Sequence, residues 1–171
     1  RRIVMAVDEP AVPAALSILA EYALDDKKRE DVEIHLVAEV PHAADSLEAL
    51  WDDVYPILPP LRELEWVKIH RCAREDASRG EVLATGLRSL LNLEGVQVRE
   101  NHEISPEKLE NVDNAEIVWS LADDENPQIY VFIAGESSIV KRLRRICVQE
   151  ASISKNDVSF MGYWKAGRTE S

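Results

Sequence analysis

Short apolar runs alternate with stretches of helical spacing along most of the chain. Residues 3–7 form an apolar, β-rich run, and the helix that follows over 11–24 has Val12, Ala15, Leu16, Leu19 and Ala23 on one face. Pro10 and Pro13 fall in or before its first turn, where a missing N–H costs little. A second strand is predicted over 32–40, a short helix over 47–55, and a break at the prolines of 56–60. Residues 66–70 predict a third strand, and 81–91 a helix through Val82, Leu83, Leu87, Leu90 and Leu91. Further on, 130–134 is a short apolar run closed by Gly135-Glu136-Ser137-Ser138, which reads as a buried strand ending in a turn. Ser137 or Ser138 is placed to cap the next helix. That helix gathers Val140, Leu143, Ile146 and Cys147 on one face and sets Lys141, Arg142, Arg144 and Arg145 on a basic one. A last strand covers 158–163.

Strands alternating with helices predict an open, mostly parallel sheet with helices on both faces, an α/β fold of Rossmann-like type. Ligands of such sheets sit outside the carboxyl ends of the strands. Gly135, Glu136, Tyr163 and Trp164 are expected at that end. Residues 92–127 interrupt the pattern with a strand candidate at 96–98, a helix start at 105–107, an ambiguous run at 117–121 and a turn at 123–127. They read as an elaboration at a sheet edge or on the surface.

The chain has 171 residues, which predicts a single domain with a sizeable core. Twenty basic residues against 32 acidic ones give a net charge of −12, which argues against a nucleic-acid partner. A polyanionic ligand would therefore need a local basic pocket. No apolar stretch is long enough to span a bilayer, and Asp8, Glu9, Pro10 and Pro13 interrupt the apolar start that would otherwise suggest a signal sequence. Two cysteines, Cys72 and Cys147, suggest neither a disulfide framework nor a metal cluster. Reduced thiols and a cytoplasmic location are expected.

No nucleophile–base constellation is legible, so no catalytic residue is assigned from spacing, and His35, His42 and His102 lack partners at metal-ligand spacing. The first strand–helix turn has no G-x-G-x-x-G. Asp8 and Glu9 complement the helix dipole there and would compete with a pyrophosphate for the same amides. Glu39, at the end of the second strand, has two readings: a contact to a cofactor ribose, or a solvated carboxylate. His70 either faces a cleft at the end of the third strand or is a hydrogen-bonded structural residue. Arg71, beside Arg74, can meet a phosphate.

Several of these residues carry a family resemblance. The Ala134-Gly135-Glu136 turn, the basic helix and above all SFMGYWKAGR at 159–168 resemble the C-terminal domain of siderophore-interacting proteins, which are flavin-dependent ferric-siderophore reductases related to ferredoxin reductases. Asp8, Glu9, Ala11, Pro13 and Ala14 are similar to that family's acidic turn and helix start. Val7 stands where the family usually has glycine and Pro10 where it has threonine, which removes a close backbone approach and a hydroxyl. Residues 39–45, EVPHAAD, resemble the family's Glu-Val-Pro-Asp-Ala-Ala-Asp, and 66–71 its apolar strand followed by His-Arg.

The resemblance covers roughly 1–91 and 128–168. It implies an NAD(P)H-binding domain that passes hydride to FAD in iron acquisition, with a ferric siderophore as the final acceptor. In that scheme Gly135 lets the backbone approach the nicotinamide, Glu136 and Ser137 add polar contacts, and Asp8, Glu9, Glu39, His70 and Arg71 line the nucleotide. Tyr163 and Trp164 would lie near the flavin. Lys165 and Arg168 would attract the anionic chelate, Arg168 as the better bidentate partner of a carboxylate. The blander reading makes Tyr163 and Trp164 a core cap and Lys165 and Arg168 a solvated tail. The family's N-terminal, FAD-binding β-barrel has no counterpart in this pattern, so FAD is expected on another domain or chain. The alternative is a non-catalytic Rossmann-like binding or regulatory module that has lost its cofactor.

Overall fold

The computed structural model describes residues 1–93 and 129–164. Five parallel strands lie in the order β3-β2-β1-β4-β5. They are β1 (Arg2–Val7), β2 (Glu33–Val40), β3 (Val67–Ala73), β4 (Ile129–Glu136) and β5 (Val158–Trp164). The helices are α1 (Val12–Ala23), the one-turn α2 (Asp26–Arg29), α3 (Leu47–Val54), α4 (Glu81–Leu90) and α5 (Ser137–Arg145), which continues into a π-turn at Ile146–Glu150. The expected elements of the described part are all present, and the sheet is the predicted Rossmann-like one. Elements expected within 94–127 lie outside the described residues.

Alternation along the central strands feeds two cores, one on each face. Ile3, Met5 and Val7 join Ile34, Leu36 and Ala38 under α1 and α3, with Leu16, Leu19 and Trp51 above them. Val4, Ala6, Val37, Val131 and Ile133 pack under α4 and α5, against Leu83, Leu87, Val140 and Leu143. β1 is central and buried on both sides from Ile3 to Val7, which is why that run is apolar without interruption.

Three local expectations are corrected. α5 is capped by Glu136 and not by Ser137 or Ser138; the Glu136 carboxylate accepts from Ser138 N–H at 2.9 Å and Ile139 N–H at 3.0 Å. A two-oxygen anion can satisfy more orphan amides than a hydroxyl, and it complements the dipole as well. Arg144 does not lie on an exposed basic face. Four residues after Val140, it shares the apolar stripe, is 5% exposed, and sets its guanidinium 4.9 Å from the Phe160 ring. β3 runs three residues past the predicted end, so His70 and Arg71 lie within the strand.

Candidate functional site

The chain runs from β1 outward to β2 and β3, then crosses back to β4 on the other side of β1. The crevice of such a sheet opens where that reversal occurs, at the carboxyl ends of β1 and β4. Asp8 follows β1, and Gly135-Glu136 closes β4. Asp8 is 2% exposed. One of its carboxylate oxygens accepts from Glu136 N–H at 2.8 Å and the other from Ala11 N–H at 3.2 Å. The acidic turn is therefore an internal clamp between the two central strands.

Gly135 is what allows the clamp to close. A Cβ at this position would stand 2.6 Å from the Asp8 carboxyl carbon, and the backbone has φ of 155°. Only a residue without a side chain fits there. Gly162 gives the next strand a close approach: a Cβ on it would meet Ser137 Oγ at 3.1 Å and Cα at 3.2 Å, which would push Ser137 back by a few tenths of an ångström. Ser137, half-buried, thus sits between the ends of β4 and β5. Glu9 is exposed in the short 3-10 turn before α1.

Glu39 is buried, 2% exposed, and accepts from Gly80 N–H at 2.8 Å. Burial pushes its carboxyl above the usual range, against the pull of the Gly80 hydrogen bond and of Arg74. Of its two sequence readings, neither the ribose contact nor the solvated carboxylate describes this geometry; the side chain ties the end of β2 to the start of α4. Gly80 was missed by sequence reasoning. Its signal was a glycine directly before the apolar pattern of α4, at a left-handed N-cap with φ of 88°.

The loops after β2 and β3 are laced together. Arg74 N–H donates to Val40 O at 2.8 Å and Glu75 N–H to Pro41 O at 2.9 Å. The Glu75 carboxylate accepts from Ala43 N–H at 3.0 Å and meets His42 Nδ1 at 3.3 Å; these contacts hold it below the ordinary carboxylate range. Arg71 is exposed and donates from Nη1 to Asp45 O at 3.1 Å.

Residues 1–167 match the family described as siderophore-interacting protein. The chain belongs to that family. Among solved structures it is similar to the siderophore-interacting protein from Acinetobacter baumannii, with 24% identity, a TM-score of 0.55, and 99% of this chain and 48% of that one covered. A siderophore utilization protein from T. fusca matches at 21% identity and a TM-score of 0.55, over 98% of this chain and 46% of that one. The flavohemoglobin from Malassezia yamatoensis shares 13% identity and a TM-score of 0.52, over 95% and 31% respectively. These likenesses speak for the fold. The chain spans about half the length of the two siderophore proteins it matches. No curated protein sequence matches it.

Within this family domain, the structure brings Asp8, Gly135, Glu136 and Ser137 together at the crevice, with Glu39 and Arg71 at the β2–β3 end of the same edge. The backbone of Tyr163 and Trp164 ends β5 on that side, Trp164 in register with Glu136. Lys165 and Arg168 lie outside the described residues. Among the described residues no cluster of three or more His, Cys, Asp and Glu side chains is placed to hold a metal, and no helix is long and apolar enough to cross a membrane. Both cysteines are free; burial raises both thiols, Cys147 to about 12.

His70 stands apart from the crevice. Its Nε2 lies 3.0 Å from His35 Nδ1, and the other nitrogen of His35 bonds the Glu33 carboxylate. An ionised carboxylate only accepts, so His35 Nε2 carries a proton; protons on both rings set the two histidines in repulsion. The strand extension explains the correction: three residues of β3 separate His70 from the strand's end, and the register pairs it with Val37, diagonal to His35 on the same face of the sheet. Burial, and then His35, depress the His70 pKa from 6.5. A depressed histidine means that the native state binds fewer protons than the unfolded chain. The stability this contributes is fully present above pH 6.5 and is lost as pH falls through the folded value. The urea midpoint should therefore rise from about pH 5 to about pH 7.5, and the rise should shrink in His70→Gln. An identical slope in the variant would show that this pair does not sense pH.

Proposed function

We propose that this chain is the nicotinamide-nucleotide-binding half of a flavin-dependent ferric-siderophore reductase of iron acquisition, passing hydride to FAD held on another domain or chain. The observation that carries this reading is the crevice floor at the β1–β4 reversal, where Asp8 holds the Glu136 amide and side-chain-free Gly135 lies against its carboxylate. Ligands of an open parallel sheet sit at such a reversal. Two buried carboxylates next to that floor repel phosphate, so they favour the uncharged, nicotinamide end of a dinucleotide. The pyrophosphate does not fit at the helix N-termini, because Asp8, Glu39 and Glu136 already occupy the amides of Ala11, Gly80, Ser138 and Ile139. Phosphate would be met by Arg71, near the end of β3, and Arg74, just after it. When bound, the nicotinamide supplies the hydride; Gly135, Glu136 and Ser137 orient the ring, and Asp8 keeps their backbone in place. Tyr163 and Trp164 would face the flavin, and Lys165 and Arg168 the ferric chelate.

The occupied helix N-termini favour a second reading, a Rossmann-like module without cofactor. Val7 and Pro10 in the first turn point the same way. Calorimetric titration of the full chain with NADPH and NADH at low salt separates the two. Binding in the millimolar range or tighter, competed by nicotinamide mononucleotide, is expected. Absence of binding by either dinucleotide overturns the reductase reading and leaves the module.

A further inference from the structure

The two edges of the sheet are built differently. β3, at one edge, carries the charged Lys68 and Arg71, both exposed, and charges of that kind keep a free edge from pairing with another chain. β5, at the other, pairs among the described residues with β4 alone, and its seven residues include no charged side chain and no proline. Its one irregularity falls at the far end, opposite Gly135 and Glu136. Phe160 and Met161, consecutive and facing opposite ways, are 40% and 53% exposed. An edge strand turns alternate N–H and C=O groups outward, so β5 offers a backbone ladder with apolar side chains on both flanks.

Beside this edge lies a cavity of about 330 Å³. Residues 158–160 line it together with Lys155 and Asn156 of the preceding turn and Arg144 of α5. The arginine is held over the Phe160 ring, and the acid of the same turn, Asp157, is buried and does not line the cavity. The lining is therefore cationic in a chain of net charge −12. The surface is separate from the crevice, because 158–160 are in register with 131–133 and not with Gly135 or Glu136.

We propose that β5 is a docking edge for an extended, acidic segment of a partner protein, which adds a sixth strand and sets a carboxylate against Lys155 and Arg144. Strand addition draws affinity from the main-chain ladder and specificity from side chains that reach pockets at alternate positions. Phe160 and Met161 cover apolar side chains of the incoming strand, and the cavity takes its acid. A second copy of this chain is a poorer occupant. β5 has no carboxylate to offer the cavity, and two chains of net charge −12 repel each other.

The test is 1H–15N NMR of the full chain with two blocked heptapeptides, Thr-Val-Glu-Val-Glu-Val-Thr and the same sequence with lysine for both glutamates. The acidic peptide should shift the amide resonances of 155–162 saturably, leave those of β3 in place, and bind roughly fivefold tighter or more than the basic one. The chain as a whole attracts the basic peptide, so a preference for the acidic one reports the local site. Lys155→Glu should reverse that preference, and Phe160→Ala should weaken both peptides. Both positions are at least partly exposed, so the variants keep the fold. No saturable shift with the acidic peptide overturns the proposal, as do shifts centred on β3 or an equal response to the two peptides. Resonances of β5 that broaden with the concentration of the chain itself, and do not respond to peptide, overturn it in favour of a second copy.

Discussion

Replacing Gly135 by alanine should destabilise the chain by about 3 kcal/mol or more. The new methyl would fall 2.6 Å from both Cγ and one oxygen of Asp8, and 2.9 Å from the other oxygen. Asp8 has no easy retreat, since it is buried and accepts from both Glu136 and Ala11 N–H groups. Overpacking a tight site costs about 1–3 kcal/mol, and breaking buried hydrogen bonds to a charged group costs about 1.5–3 kcal/mol each. A φ of 155° adds strain for any residue with a side chain. Urea unfolding measures the loss. The cause can be isolated, because the three nearest atoms all belong to the Asp8 side chain. In an Asp8→Ala background the Gly135→Ala penalty should fall by at least about 1 kcal/mol, a coupling that distant sites do not show. A Gly135→Ala chain as stable as the parent, or strictly additive losses, would dismiss the clamp as the organiser of the crevice.

Trp51→Ala should cost about 4 kcal/mol. Trp51 is 0% exposed, its ring lies 4.8 Å from that of Tyr55, and its N–H donates to Pro59 O at 2.9 Å. α3 has only eight residues, too few for a helix to persist without tertiary support. The indole is that support, and it also ties down the proline-rich loop after the helix, where Ile57 is 95% exposed. Trp51→Phe keeps most of the buried ring but orphans the Pro59 carbonyl, so a smaller loss of about 1–2 kcal/mol is expected. Denaturant unfolding with limited proteolysis reads both effects; cleavage should concentrate within residues 55–60 in the alanine variant. If alanine were as well tolerated as phenylalanine, the indole would not be the anchor of this corner.

The crevice was only partly legible in the sequence. Gly135 and Glu136 stood out because a short apolar run ends in them, and Asp8 because it lies between a strand and a proline-marked helix start. What each does was not legible. Asp8 and Glu136 are 128 positions apart, and Glu39 and Gly80 are 41 apart. Their pairing depends on which strands become neighbours. Arg144 is a different case: its place on the apolar stripe follows from its spacing to Val140, but its charge concealed this, and Phe160 as its stacking partner comes from β5.

By itself the sequence determined the alternation of strands and helices, the apolar centre of the sheet, and the resemblance at residues 159–168 that the family match supports. Those properties are local, set by side-chain period, turn chemistry and short motifs. Only the tertiary structure decided that three carboxylates face inward onto helix N-termini, and that His70 turns to His35 and away from the crevice. The physical reason is common to both. A buried polar group must find its partner inside the fold, and strand order and register, which no local pattern specifies, determine which partner is within reach.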